Sequence, residues 1–242
     1  MADAPPSRLR RALDDLRTLA TMPRVRVVLS RGAPDEDKVL RRFRRRHPRY
    51  KVVGSKVLGV ALLPLDDIAD VDDYLAKVRF VRKRARRSSK LGYTVGLFDP
   101  VDRHADLLAI HSSLPERQGR PIDPEYLDPN AVARRGPNVE YIGVHHEGVV
   151  VAYSRLDHVG DIAGMGRVMG HGDHLDNGVM SLLMAGIVEH VKFRRPQARY
   201  VFYDTFFGAP EGLRAFKRNV GFRPHLVRWK REPPRPSEGS HG

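Results

Sequence analysis

VEYIGVHHEGVVVAYSRLDHVGDIAGMGRVMG, Val139 to Gly170, decides how the second half of this chain folds. Its β-branched and aromatic residues come in three runs, and each break carries a glycine, at Glu147–Gly148 and Val159–Gly160. That punctuation predicts three antiparallel strands joined by two tight hairpins. Next comes an apolar-rich segment, Asp176 to Arg194, that reads as a helix, and then ARYVFYD, a short buried strand. A short amphipathic helix (Glu211 to Asn219), a turn glycine and a final strand, FRPHLVRWK, complete the series. Working upstream, YTVGLF (93–98) reads as a strand and Val101 to Ser113 as a helix. RQGRPIDPEYLDPN is a Pro-rich loop with a short helix around Pro124 to Leu127.

The first part is organised differently. Ser7 to Ala20 spaces Leu9, Leu13, Leu16 and Leu19 at helical intervals, RVRVVL (Arg24 to Leu29) alternates as a strand does, and Asp35 to His47 reads as a helix. YKVVGSKVLGVALLPL makes two short strands or one bent one, broken near Gly54. Residues 66–92 predict one long helix. Its first turns are acidic, its apolar seam runs through Tyr74, Leu75, Val78 and Val81, and Gly92 stops it. The expected organisation is a small α/β subdomain over 1–65, the joining helix over 66–92, an α/β domain over 93–231, and a compositionally disordered tail over 232–242.

Composition narrows the chemistry. The absence of cysteine excludes disulfides, thiolate metal sites and a cysteine nucleophile. No apolar run approaches the ~20 residues of a membrane span, and the N-terminus is not a secretory signal, so the expected location is the cytoplasm with no membrane partner. A formal charge of +14 points to a polyanionic partner. An Arg-rich composition alone supplies excess charge, but here it is clustered: KVRFVRKRARRSSK (Lys77 to Lys90) holds eight bases and no acid. Such a block attracts phosphate through counterion release. Its Arg79, Arg82, Lys83, Arg86 and Arg87 are the candidates for an RNA backbone.

The element order of residues 93–231, with NVGF before the last strand, resembles the GNAT superfamily of acyltransferases. The resemblance implies an α/β (α+β) GNAT fold: a mixed, mostly antiparallel sheet flanked by helices, whose strands around the long helix splay into an acyl-donor site. It also implies a truncated GNAT-like subdomain in the first part of the chain. Coenzyme A enzymes of that superfamily open the long helix with a glycine-rich pyrophosphate loop. MGHGDHLDNGVMSLL departs from it: Gly178 stands for the first glycine, Met180 replaces the second, and Asp173 and Asp176 bring negative charge. Phe216–Lys217 instead resembles the Fem and BioF2-like branch, whose members take an amino acid from aminoacyl-tRNA. That resemblance implies transfer to an amine of a small-molecule or peptide acceptor, as in antibiotic pathways, with aminoacyl-tRNA as co-substrate and no cofactor. A coenzyme A thioester is the alternative donor, and a non-catalytic RNA-binding protein is a third reading.

Within that frame Phe216, Lys217, Asp204 and Thr205 are the catalytic candidates. An ammonium at Lys217 suits an oxyanion or a departing ribose hydroxyl, although a lysine on a short helix is as often solvated. Asp204, at the end of its strand, is placed to receive a proton or an acceptor ammonium, or else to cap the next turn. Gly178 and His174 join the basic helix as donor-binding candidates. Arg117 and Arg120, with Tyr126 and Tyr203, are the acceptor-binding ones. His171 and His174 beside Asp173 and Asp176 also suggest a metal, but no second ligand cluster is evident in the sequence and none is expected.

Overall fold

The computed structural model describes residues 21–29, 41, 43, 56–117, 120–122, 124–128, 133 and 135–231. The elements are β1 (Arg24–Leu29), β2 (Val60–Pro64), α1 (Val71–Lys77), α2 (Arg79–Lys90), β3 (Thr94–Leu97), α3 (His104–Ser112), β4 (Glu116–Arg117) and β5 (Arg120–Pro121). After a 3-10 turn at Pro124–Leu127 come β6 (Val139–His146), β7 (Val149–Val159) and β8 (Ile162–Gly170). Then follow α4 (Val179–Arg194), β9 (Tyr200–Thr205), α5 (Glu211–Asn219) and β10 (Arg223–Arg231). The helices expected over Ser7–Ala20 and Asp35–His47, the break near Gly54 and the tail lie outside the described residues, apart from Arg41 and Phe43.

The meander forms as expected. β6, β7 and β8 pair antiparallel, and the first hairpin turns on Glu147 (φ 50) and Gly148 (φ 81), two left-handed residues whose twist matches that of the flanking strands. β3 pairs antiparallel to β6 at one edge. The eight-stranded sheet runs β1-β10-β2-β9-β8-β7-β6-β3. Thus β1 and β2 extend the same sheet, with β2 inserted between β10 and β9.

Two helices differ from their expected form. The long helix over 66–92 is two, because Val78 leaves helical geometry (φ −111, ψ 75) between α1 and α2. Buried Tyr74 pins α1 to the end of α5 through a 2.8 Å hydrogen bond from its hydroxyl to the Val220 carbonyl. Both α1 and α2 pack on α4, α2 more extensively. The helix expected from Asp176 starts at Val179, since Gly172–Asn177 is a 3-10 turn and Gly178 (φ +83) separates the two.

α4 is apolar on nearly every side, and the structure shows why: the sheet lies beneath it and α1 and α2 cover it. Leu183, Ile187, Val188 and Val191 are completely buried there. The opposite face of the sheet carries two separate clusters. One gathers Val27, Leu29, Phe43, Leu62, Phe202 and Trp229; the other packs Leu107 and Ile110 of α3 on Tyr141 and Tyr153. Among the described residues no helix is long and apolar enough to cross a membrane.

Candidate active site

β8 and β9 run parallel, but their ladder lasts only from Ile162↔Tyr200 to Gly164↔Phe202. Beyond it β8 continues to Gly170 and β9 to Thr205 with no pairing between them, so the sheet opens as a fork. Each arm is irregular at the opening. Residues Gly166 and Arg167 of β8 face the single Arg155 of β7, a bulge that turns the strand. On the other arm β9 breaks register with β2, and Asp204 adopts φ 53, a left-handed conformation uncommon outside glycine, asparagine and aspartate.

Lys217 is buried beside the β9 arm of this opening, not on the surface. It is 1% exposed, and its ammonium donates to the Thr205 carbonyl at 2.8 Å. The ring of Tyr203 lies 4.7 Å from that nitrogen and the ring of Phe206 5.8 Å away. Thr205 is the only acceptor this ammonium reaches among the described residues, which leaves two of its three N–H groups uncommitted. Burial pushes the Lys217 pKa down to about 8; Asp204 pulls it back up and Lys56 opposes that. Phe216 beside it packs into the core under α4.

Asp204 is the half-exposed member of the group, with its carboxylate paired to Lys56. Burial raises its pKa, but Lys56 and then Lys217 outweigh this and hold it below the usual carboxylate range. Burial, the Asp204 charge and Tyr126 push the Tyr203 phenol far up. Tyr126 packs with the α3 cluster, and the guanidinium of Arg167 lies 4.7 Å from its ring. Lys217, Asp204, Thr205 and Tyr203 thus come together, while Tyr126 lies with α3.

The remaining candidates are placed elsewhere. Arg117 is turned into the protein: it donates to the carbonyls of Ile110 and Gly170 and to Ser113 Oγ, tying α3 to the end of β8. It serves as a clamp and does not present its guanidinium fork to an acceptor. Arg120 stands opposite it in the β4–β5 ladder, and Gln118 and Gly119 lie outside the described residues. His174 accepts or donates at Nδ1 to the Tyr93 hydroxyl at 2.7 Å, and burial, with His171 and His146, lowers its pKa.

Gly178 does not form an open phosphate cradle. It and Val179 are buried, and a Cβ on Gly178 would lie 2.6 Å from the Arg84 carbonyl oxygen of α2. The glycine is there because α2 roofs the start of α4 and because φ is positive. The roofing helix carries seven cations and no acid, and none of the seven forms an ion pair among the described residues. Arg79, Lys83, Arg86 and Arg87 are exposed on it, and Arg82 is half-buried.

Three groups escaped the sequence reading. Lys56 precedes β2 with no motif around it, and Arg167 is one more arginine in a strand; only the fork gives either a role. The third lies away from the fork: Glu140 Oε2 accepts from His158 Nε2 (2.7 Å) and His190 Nε2 (2.8 Å), and Arg195 holds Oε1. These ligand atoms lie within 4.8 Å of one another, as a metal needs, yet Arg195 and the imidazoles already occupy the carboxylate. The group is read here as a structural knot. The HxxH pair at His171 and His174 has its rings 5.5 Å apart, with His174 committed to Tyr93.

No family model matches the chain, and no curated protein matches it. Solved structures do. FemX is 14% identical with a TM-score of 0.55; the match covers 69% of this chain and 59% of that one. The C-terminal DUF2156 domain of a protein assigned as a lysylphosphatidylglycerol synthetase, from Agrobacterium fabrum, is 18% identical (TM-score 0.46, 69% and 58% covered). A tandem GNAT protein from the clavulanic acid biosynthesis pathway is also 18% identical (TM-score 0.45, 69% and 50% covered). The chain therefore spans less than two thirds of each of these structures. At such identities the likeness is one of architecture alone: the chain has the GNAT fold.

Proposed function

We propose that the protein transfers an aminoacyl group from aminoacyl-tRNA to an amine of a small-molecule or peptide acceptor. The observation that carries this reading is the roof over α4. Where a coenzyme A enzyme needs open backbone amides for a pyrophosphate, this chain has buried Gly178 and Val179 under a helix whose cations form no ion pair among the described residues. Charge of that kind suits a nucleic-acid backbone outside the fork, with the reactive ester inside it.

An aminoacyl ester is already activated, so the protein has to position and stabilise. The acceptor nitrogen attacks the ester carbonyl, the new C–N bond forms, the C–O bond to ribose breaks, and a proton passes from nitrogen to the departing oxygen. Lys217 is the donor to the oxyanion and to that oxygen, since two of its N–H groups are uncommitted and its pKa of about 8 keeps a transferable proton. Asp204, held ionised by Lys56, orients the acceptor amine and offsets the positive charge that develops on its nitrogen as it is acylated. Tyr203 walls the opening beside Lys217.

The test is a reconstituted transfer with amino acid, its synthetase, tRNA and a panel of amines. RNase added after charging has to abolish amide formation. Product that survives RNase, or that forms from acetyl-CoA alone, removes the proposal.

A further inference from the structure

α2 has a flank that the charge pattern does not explain. Phe80, Arg84, Arg87 and Leu91 follow at i, i+4, i+7 and i+11, so they share one side of the helix and its cap. Phe80 is 37% exposed and Leu91 46% exposed, while the helix's other apolar residues, Val81 and Ala85, are buried against α4. The Arg84 guanidinium lies over the Phe80 ring, 4.8 Å from its centroid. Arg84 is also the residue whose backbone closes over Gly178, so the flank borders the start of α4.

We infer that Phe80 and Arg84 form a stacking platform for an unpaired base of single-stranded RNA, with Arg87 on the adjoining phosphate. An aromatic face paired with a planar guanidinium offers two π surfaces to a base, and stacking of this kind accepts any base. The surrounding cations supply the backbone attraction, and their mutual repulsion along the helix goes unrelieved without an anion. A lipid surface fits less well: with Val81 and Ala85 buried, only Phe80 and Leu91 remain to enter a bilayer interface. The inference rests on the aminoacyl-tRNA reading and adds where the single-stranded end lies. Of the exposed positions assigned from the sequence, Arg79 and Arg86 lie farther round α2 and Lys83 borders this flank; they serve paired regions.

Two probes separate the outcomes by fluorescence anisotropy: a labelled RNA hairpin with a single-stranded 3′ ACCA tail, and the same hairpin ending flush. Phe80→Ala weakens binding of the tailed hairpin about tenfold and leaves the flush one unchanged, Phe80→Trp restores it, and Arg87→Ala weakens both. Equal effects of Phe80→Ala on both probes, or none on either, overturn the platform. So does Phe80-dependent binding to phosphatidylcholine–phosphatidylglycerol vesicles without Phe80-dependent binding of the tailed RNA. The two readings fail separately. If RNase abolishes product but Phe80→Ala leaves tailed affinity unchanged, the platform is wrong and the transferase stands. If Phe80 governs tailed binding but product survives RNase, the reverse holds.

Discussion

Replacing Lys217 by Met should make the protein more stable and less active at once. The side chain is 1% exposed, and burial holds its pKa near 8 against an ordinary 10.5. Keeping the proton on in that site costs about 3 kcal/mol at neutral pH, from ~1.4 kcal/mol per pKa unit. Losing the hydrogen bond to the Thr205 carbonyl gives back about 1 kcal/mol of that. The net expectation is a gain of about 2 kcal/mol at pH 7, or roughly 4–8 °C in Tm for a chain of this size. The sign follows from the lowered pKa. Below pH 8 the folded wild type carries the full cost, and between about 8 and 10.5 the folded state releases its proton before the unfolded one does, so the cost disappears. The advantage of the Met variant should therefore fade over that window. Urea unfolding of both proteins at pH 7 and pH 10, with turnover measured in parallel, checks both halves. Turnover should fall by about 10²–10³, as for loss of one preorganised oxyanion donor. A variant that is destabilised at pH 7, or that keeps full turnover, refutes the reasoning. A residue whose loss stabilises the fold is held there by function.

Other perturbations probe the neighbouring parts. Gly178→Ala places a methyl 2.6 Å from the Arg84 carbonyl at positive φ and should cost about 2 kcal/mol or more in chemical denaturation, whereas a glycine kept for phosphate alone would cost little stability. Asp204→Gly relieves the left-handed backbone and removes the carboxylate, so the fold should persist while KM for the amine rises; an unchanged KM excludes Asp204 from the acceptor site. Glu140 is pushed up by burial but pulled to about 2 by Arg195, His190 and His158, so it adds on the order of 3 kcal/mol at neutral pH. That contribution should be lost as pH falls from about 4.5 to about 2, and in Glu140→Gln an acid titration of stability should be flatter across that window. Raising salt should weaken tRNA binding steeply in the wild type, and Lys83→Ala with Arg86→Ala should reduce the slope.

Much of the fold was legible because it is locally encoded. The hairpins at Glu147–Gly148 and Val159–Gly160, the buried helix before ARYVFYD and the clustered charge of Lys77 to Lys90 are patterns of neighbours, and neighbours fix strand, turn and helix. Lys217 was a candidate through the resemblance of Phe216–Lys217 to the Fem branch, and Asp204 through its place at the end of a strand. What they do depended on burial, which no local pattern reports. Nothing around Val78 marks a helix break in the sequence, and the bond from Tyr74 that ties α1 to Val220 joins residues far apart in the chain. Arg117 read as an exposed fork until α3 and β8 closed around its guanidinium. Gly178 read as a phosphate glycine until α2 was seen to lie on it. Lys56, Arg167, Phe80 and the Glu140 knot had no signal at all. Sequence by itself determined the elements, the excess charge and the chemistry available; tertiary structure alone decided which charges meet water, which meet each other and which are shut in at the fork. The physical reason is that propensity acts over a few residues, whereas desolvation and pairing depend on segments more than a hundred residues apart, as Lys56 and Asp204 are.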